Sequence, residues 1–589
     1  MHQQSPNREI STDDLREQLL SLSEFTAAEF AAQRSGYLKL WKMPLEKRIA
    51  EGLCIAGLNF ERRTTEGQYR FRYRENETDF REGDFLRLST GDPMEPLTEC
   101  VLVAEDPPFV TLDISRKDFN LGASGDLYLD ASYFDLENIV MQGIDEIGTT
   151  IRGRERILPL LLGNMIEDEV DQEAYDTAWT ESEGAGYNNS QSDAIAAGSA
   201  SQWCSLVQGP PGTGKTQVLA NIVVQRLARR ERILITAFTH RAIHQALRTI
   251  KKILPNEDRI VKIGTHIPDP DLPVSQYESF AESPLADMTG GYVVGATVFA
   301  TRSFRLKGID FDALIIDEAS QMTLPYAVLG MLTSDCYIII GDPQQLPPVI
   351  QSCGSSEAHE YSIFKTLQRN NDLTLLDTTY RMNAVIAEWS SNQYYNGQLS
   401  SHSSAANRKL QLHFQPEADW LQHALSPDAP LTWLEHTERG CRKLCMEEVD
   451  LVNQLLGALL SSGLSANEVA VVTPYRKQAR AIRQRLKQSS SQASSMLSEV
   501  VIDTVERMQG QEREVIIISC VSNEPSFIRA VAEFLFLPSR LNVAVTRARS
   551  KVILIASDSL LDVDSMQNQV EEALMVWQNL KASAEVIRV

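Results

Sequence analysis

An α/β fold with two parallel sheets flanked by helices, preceded by a helical stalk and a small β-barrel, is what this sequence predicts. Three observations carry that expectation. Residues 185–350 alternate short apolar runs with helical stretches, the mark of a parallel sheet with crossovers. A second alternating set runs through 373–589. Ahead of both, residues 52–130 break into short strand-like runs separated by turn signals, as a small barrel requires. At 589 residues the chain is too long for one core and divides into two large domains plus accessories.

Residues 1–50 read as stalk helices. Ser11 with Asp14 has the spacing of a capping box, and Leu15, Leu19, Leu22 and Phe25 recur at helical spacing. Residues 51–132 supply the barrel, with strands expected in GLCIAGLNF, YRFRYRE, DFLRLS, ECVLVAE and FVTLDI. The run Tyr69–Arg74 alternates rings and arginines, so one face buries aromatics and the other presents three guanidiniums. That outer face is either merely solvated or a phosphate track. Residues 133–184 return to helical character and end in an acidic linker, since 167–183 carries eight carboxylates without one Lys or Arg.

Residues 185–350 form the first large lobe, with strands expected at 204–208, 232–237, 292–296, 312–316 and 336–340 and a helical insertion at 250–290. Residues 351–372 lack strong periodicity and read as a hinge. The second lobe, 373–589, takes its strands from TLL, VAVVT, EVVIDTV, VIIISCV and VILIAS, with Ser-rich surface loops at 401–405 and 488–498.

Composition narrows the class. Apolar residues make up 43% and charged residues 23%, as in a soluble globular protein. No run reaches the ~18 apolar residues of a membrane span. The opening MHQQSPNREISTDDL lacks the apolar centre of a secretory signal, so a soluble, cytoplasmic protein without membrane contact is expected. The net charge of −23 argues against coating nucleic acid by bulk attraction but leaves room for a locally basic channel. Of eight cysteines only Cys441 and Cys445 lie close, in C-x3-C, so reduced thiols are expected rather than zinc or disulfides.

Chemistry concentrates in three stretches. Gly209-Pro210-Pro211-Gly212-Thr213-Gly214-Lys215-Thr216 follows a strand and opens a helix, so its N–H groups and the helix N-terminus converge on phosphate oxygens. Lys215 is placed for the β/γ-phosphates and Thr216 for Mg²⁺. Asp317 ends the run DALIID, where Mg²⁺ needs a second ligand, and Glu318 is placed to orient or deprotonate the attacking water. GDPQQLPPV (341–349) leaves the next strand on the same edge. An amide there can donate to a γ-phosphate and accept from a water or a neighbouring lobe, and the prolines stiffen the exit.

These stretches belong to ten ordered blocks that resemble superfamily 1 helicases, in the group containing the nonsense-mediated-decay RNA helicase and the immunoglobulin mu-binding helicase. The blocks are SQSDA (190–194), GPPGTGKT, ILITAFTHRAIHQAL (233–247), VVGATVFAT (293–301), IIDEASQM (315–322), GDPQQLPPV, TTYRMNAVIAEW (378–389), VVTPYRKQ (471–478), DTVERMQGQE (503–512) and RLNVAVTRARSKVILI (540–555). PLEKRIAEGLCIAGL (44–58) is similar to that group's stalk and barrel.

The resemblance implies two RecA-like P-loop lobes that hydrolyse Mg-ATP between them and move 5′-to-3′ on single-stranded DNA or RNA. It implies that Gln191 reads adenine and Gln345 senses nucleotide, with Gln344 at a variable position. It implies that Arg381 and Arg547 reach the γ-phosphate, Arg381 from the second lobe, that Tyr380 stacks near the base and that Glu512 contacts ribose. Thr239, Thr297, Thr473 and Thr504 match phosphate contacts on the strand, although a turn cap or β-propensity explains each threonine equally well. Phe238, His240 and His244 stand where the family commonly has Pro, Asn and Asp. His240 either stacks or donates to a phosphate, or is a satisfied histidine. No Cys/His-rich regulatory domain or four-cysteine nuclease cluster is visible. An ATP-gated switch that binds a protein partner, such as a nuclease or adaptor, is the competing class, motivated by the acidic balance.

Overall fold

The leucines of the N-terminal segment fall on one helix, Thr12–Trp41, whose Leu22 and Phe30 bury into the core of the first lobe. The structure is a computed structural model. It describes residues 12–589 except 66, 75, 77, 79, 81, 107, 115–125, 164–169, 265–268, 355–356, 415, 490–498, 509 and 564–567. The expected Ser11 cap and most of the 488–498 loop therefore lie outside the described residues.

Six strands close the barrel: β1 (Cys54–Arg63), β2 (Tyr69–Arg72), β3 (Phe85–Ser89), β4 (Thr98–Asp106), β5 (Phe109–Asp113) and β6 (Leu127–Ala131). Their order is β1-β2-β5-β4-β3-β6. β6 was not among the expected strands, yet it closes the barrel by pairing with both β1 and β3. The alternation at 69–74 behaves as its period demands, with Tyr69 and Phe71 buried. Arg70 pairs with Glu61 at 3.1 Å and Asp106 at 3.4 Å, and Arg74 with Asp126 at 3.4 Å. Carboxylates thus answer two of the three guanidiniums, which favours the solvated face over a phosphate track. A buried ion pair, Arg48 with Asp130 at 3.2 Å, pins the helix Leu45–Ala50 to β6. Breaking such a pair leaves one charge uncompensated, typically at ~3–5 kcal/mol.

From Gln172 on, the acidic stretch expected as a linker is helical. Residues Gln172–Gly184 form a helix, capped by Asp171 accepting from the Ala174 N–H at 3.1 Å. Ala178 packs into the first lobe while Glu173, Asp176, Glu181 and Glu183 stay exposed. Acidic residues on one face are compatible with a helix whose other face is buried.

The first sheet has eight parallel strands in the order β10-β9-β11-β8-β12-β13-β7-β14. They are β7 (Cys204–Gln208), β8 (Arg232–Ala237), β9 (Ile260–Ile263), β10 (Ser275–Tyr277), β11 (Tyr292–Gly295), β12 (Ala313–Asp317), β13 (Tyr337–Gly341) and β14 (Leu373–Leu375). The central strands are buried on both faces, hence their unbroken apolar runs. Two expectations are corrected here. The region 250–290 is no helical insertion: past Ile253 it supplies β9, β10 and two short 3-10 turns. TLL does not open the second sheet; it is β14, parallel to β7. The segment read as a hinge carries the helix Ile363–Gln368, whose Ile363, Phe364 and Leu367 bury in the core of the first lobe.

After a two-stranded pair, β15 (Thr378–Thr379) with β16 (Ser400–Ser401), six parallel strands form the second sheet in the order β19-β18-β20-β21-β17-β22. They are β17 (Leu431–His436), β18 (Val469–Val472), β19 (Val501–Asp503), β20 (Arg513–Ser519), β21 (Ala548–Ser557) and β22 (Glu585–Arg588). β17 and β22 were not anticipated. The expected loop at 401–405 is instead the end of β16 and a short helix, Ser403–Ala406. Leu346, from the loop after β13, buries in the core of this second lobe. No helix among the described residues is long and apolar enough to cross a membrane.

Candidate active site

Parallel strands end on one edge, so the loops after β7, β12 and β13 meet at the C-terminal edge of the first sheet, where α/β folds bind ligands. The loop after β7 needs its glycines. Gly212 and Gly214 have φ of 75° and 86°, and a Cβ on Gly212 would lie 2.5 Å from both the Arg381 Cβ and the Thr379 Oγ1. A Cβ on Gly209 would lie 2.0 Å from the Lys215 chain. The helix Lys215–Ala228 starts directly at the loop, aiming its N-terminal N–H groups into it. Lys215 donates to the Gly209 carbonyl, and the Thr213 hydroxyl to Pro210 O at 2.8 Å. Thr216, in the first turn, is half-buried.

Asp317 ends β12 and is buried. Burial, and then the Glu318 carboxylate beside it, push its carboxyl up to about 7 against the pull of Lys215. Glu318 is one of the few non-glycine residues with positive φ, at 52°. Its carboxylate accepts from the Gln321 amide at 3.4 Å.

The loop after β13 joins the lobes. Asp342 is fully buried, and burial lifts its carboxyl above the usual range against the Lys215 charge. It accepts from the Gln345 amide and the Tyr395 hydroxyl, both at 2.8 Å. The Gln345 carbonyl oxygen in turn accepts from Arg547 at 3.0 Å. Asn542 donates to Gln344 O at 2.9 Å and to the Tyr395 hydroxyl at 3.1 Å. Gln345 therefore bridges an acid of the first lobe to an arginine of the second. Gln344 bonds through its backbone, its N–H to Asp342 at 3.1 Å and its carbonyl to Asn542, which any residue supplies. Gln345→Ala is expected to cut the link and uncouple hydrolysis from strand movement, while Gln344→Ala changes little. Turnover per base advanced, measured for both, checks this; equal behaviour contradicts it.

Two arginines share the mouth. Arg547 is buried, and burial and then the charge of Arg381 push its guanidinium down to about 9. Arg381 donates to Glu512 at 2.8 Å and to Thr546 O at 3.1 Å. Burial works to raise the Glu512 carboxyl, yet Arg381 and then Arg549 hold it below the usual range. Glu512, expected on ribose, is here the partner of Arg381. Like charges gathered in a desolvated mouth favour a polyanion, and Thr216 with Asp317 provides the hard oxygen donors that Mg²⁺ takes. A nucleotide triphosphate with Mg²⁺ fits these residues.

The base side is equally explicit. Gln191 is buried, donates to Thr213 O at 2.9 Å and completes a capping box with Asn188. Tyr380 donates to Gln191 Oε1 at 3.5 Å, accepts from Asn188 at 3.0 Å and lies 4.6 Å from the His402 ring. Its N–H bonds Gly212 O at 2.9 Å, tying the YRM block to the P-loop.

The four threonines follow β8 and β11, neighbours in the first sheet on the side away from the P-loop strand β7, and β18 and β19, neighbours at one edge of the second sheet. Thr239 is exposed and caps the helix His240–Ile253, accepting from Ala242 N–H at 3.2 Å. Thr297 and Thr504 are half-buried, each just before a 3-10 turn. Thr473 is wholly buried, so its hydroxyl does not reach the surface as the strand-contact expectation requires. His240 is half-buried, 6.2 Å from the His244 ring. His244 is a core histidine: its Nδ1 lies 3.1 Å from Asp269, its Nε2 is buried without a hydrogen-bond partner among the described residues, and burial pushes its imidazole down to about 4.

Sequence reasoning missed Tyr395 and Asn542, which only the fold brings to Asp342. It also missed a buried group, His436, Cys445 and Glu448, with ligand atoms within 4.8 Å of one another. There Glu448 accepts from Ser519 at 2.6 Å, from the Val521 N–H at 2.9 Å and lies 3.2 Å from His436, so hydrogen bonds account for it. All eight cysteines are free thiols.

Three family descriptions match: an AAA domain over 191–351, an AAA domain over 359–559, and a viral superfamily 1 RNA helicase core domain over 288–418. The chain carries superfamily 1 helicase domains. Among the relatives of this chain is the DNA replication ATP-dependent helicase/nuclease DNA2 of Bos taurus, 26% identical over 89% of this chain and 53% of its own length. The Mus musculus protein of that name is 30% identical over 64% and 37%. The chain thus spans about half or less of these relatives. The DNA polymerase alpha-associated DNA helicase A of Schizosaccharomyces pombe is 28% identical over 63% of this chain and 64% of its own. The crystal structure of Arterivirus nonstructural protein 10 (helicase) aligns over 90% of this chain and 82% of its own, at 14% identity and a TM-score of 0.37.

Proposed function

We propose that this chain is an ATP-dependent helicase or translocase that uses Mg-ATP hydrolysis between its lobes to move along single-stranded nucleic acid. The observation that carries the reading is the link Asp342–Gln345–Arg547, which connects an acid beside the P-loop to an arginine of the other lobe. A change at the γ-phosphate then changes lobe geometry, which is what a motor needs.

Lys215 and the P-loop hold the phosphates. Thr216 and Asp317 would hold Mg²⁺, which when bound would supply positive charge against the transferred group. Glu318 takes the proton of the attacking water. The ordered blocks support membership of the group with the nonsense-mediated-decay and immunoglobulin mu-binding helicases and 5′-to-3′ movement. The names of the relatives support DNA as the strand. The exposed carboxylates of the helix Gln172–Gly184 suit a basic protein partner, such as a nuclease or adaptor.

ATP turnover measured with ssDNA, ssRNA and duplexes bearing 5′ or 3′ tails tests the proposal. Stimulation by single strands, and by 5′-tailed duplexes above 3′-tailed ones, is the expected result. Turnover indifferent to every polynucleotide overturns it.

A further inference from the structure

A cavity of about 430 Å³ opens where the stalk, the barrel and the first lobe meet. None of the P-loop residues lines it. Among the described residues eight aromatic rings do, with Asp84 as the one carboxylate. The barrel side contributes Phe85 and Phe134, 5.2 Å apart between centroids and 42% and 54% exposed. The lobe contributes Phe238, 45% exposed, and Phe299. Phe238 directly precedes Thr239 and Phe299 follows Thr297 by two, so the cavity continues the edge on which those threonines stand. Three glutamines, Gln33, Gln321 and Gln351, place amides among the rings.

Exposed rings interleaved with amides match one chemistry well. Nucleobases stack on aromatic faces for ~1–3 kcal/mol each, and their edges both donate and accept hydrogen bonds. Phe238 sharpens the point, because it stands in a block that otherwise presents polar side chains at the strand edge.

The cavity also touches the catalytic loop. Gln321 lines it, and the same amide donates to the Glu318 carboxylate across 3.4 Å, a bond long enough to be exchanged readily. Pro348 and Val349, three and four residues beyond Gln345, form another part of its wall. Glu29 of the stalk fixes the end of that wall, accepting from the Gln351 N–H at 3.0 Å and the Ser352 N–H at 2.9 Å.

We propose that this cavity takes a base of the single strand, and that Gln321 reports its presence to Glu318. In the strand-free protein Gln321 restrains the carboxylate. A stacked base accepts the Gln321 N–H instead, and Glu318 is released to face the attacking water. Gln321 is a positioning residue, and the arrangement supplies a physical route from strand binding to hydrolysis. It rests on the translocase reading above.

The test uses the full chain with single-stranded oligonucleotides, DNA and RNA in separate arms, carrying 2-aminopurine at successive positions. On the unaltered protein, one position is expected to change its emission several-fold through stacking. Phe238→Ala and Phe134→Ala are expected to abolish that change and weaken strand binding about 5- to 100-fold, while Phe134→Trp retains both. Gln321→Ala is expected to raise strand-free turnover and to flatten the ratio of stimulated to strand-free turnover. If the unaltered protein is not stimulated by any strand, the translocase reading falls. If it is stimulated but no position changes emission, or both alanine variants bind as tightly as the unaltered protein, the cavity proposal alone falls. A Gln321→Ala ratio equal to that of the unaltered protein overturns the link to Glu318.

Discussion

Glu318→Gln is expected to lower strand-stimulated ATP turnover by ~10²–10⁴-fold, the usual contribution of a positioned base, while nucleotide still binds. Glu318 follows the buried end of β12 and adopts a left-handed backbone conformation, φ 52°. A non-glycine residue held there costs of order 1–3 kcal/mol and persists only where the surroundings impose it. The turn separates the two acids: Asp317 stays buried for the metal, and Glu318 is only half-buried. The amide variant preserves shape and loses proton acceptance. Lys215→Ala differs in kind, since it removes charge facing the phosphates and weakens nucleotide binding as well as turnover. Steady-state hydrolysis combined with a fluorescent-nucleotide titration separates the two. More than a tenth of normal turnover in Glu318→Gln contradicts its role as base.

Arg547→Ala is expected to cost ~10³–10⁵ in turnover, the range for an arginine that stabilises the transferred phosphoryl group. Arg547 is pre-positioned: Gln345 Oε1 and Val543 O hold its guanidinium at 3.0 and 3.2 Å. Burial and Arg381 already depress it, so it favours an arriving polyphosphate charge over its present surroundings. Arg547→Lys is not expected to restore turnover, because a lysine lacks the fork that reaches Gln345 and an anion together. Single-turnover hydrolysis checks both variants; a loss below tenfold in Arg547→Ala contradicts the role.

Where local rules and global fold agreed, the sequence was legible. The P-loop, the DE pair and GDPQQLPPV stand at strand ends because apolar runs of five or six residues buried on both faces are hard to mistake. Legibility failed where partners are distant. LYLDA is unremarkable until β1 and β3 each lack a neighbour. TLL looks like any strand, and only its pairing decides that it extends the first sheet. β9 holds a buried Lys262 within IVKI, which breaks the apolar signal. At the site, types and spacing identified Gln345 and Arg547 separately. Their contact, and the pairing of Arg381 with Glu512, required the fold. The threonines show the opposite failure: a block position cannot tell an exposed hydroxyl from the wholly buried one of Thr473.

The placement of β14 gives the two arginines different freedom. Arg381 lies six residues beyond Leu375, so even a fully stretched chain lets it stray no more than about 20 Å from the edge of the first sheet. Thr379 and Tyr380 shorten that leash further by bonding Pro211 O and Gly212 O. Arg547 has no such leash, since it precedes β21 in the middle of the second sheet. Arg381 is held from the other side as well, by Met382 in the core of the second lobe and by its own bonds to Glu512 and Thr546 O. It is therefore strung between the two lobes, whereas Arg547 is carried by the second alone.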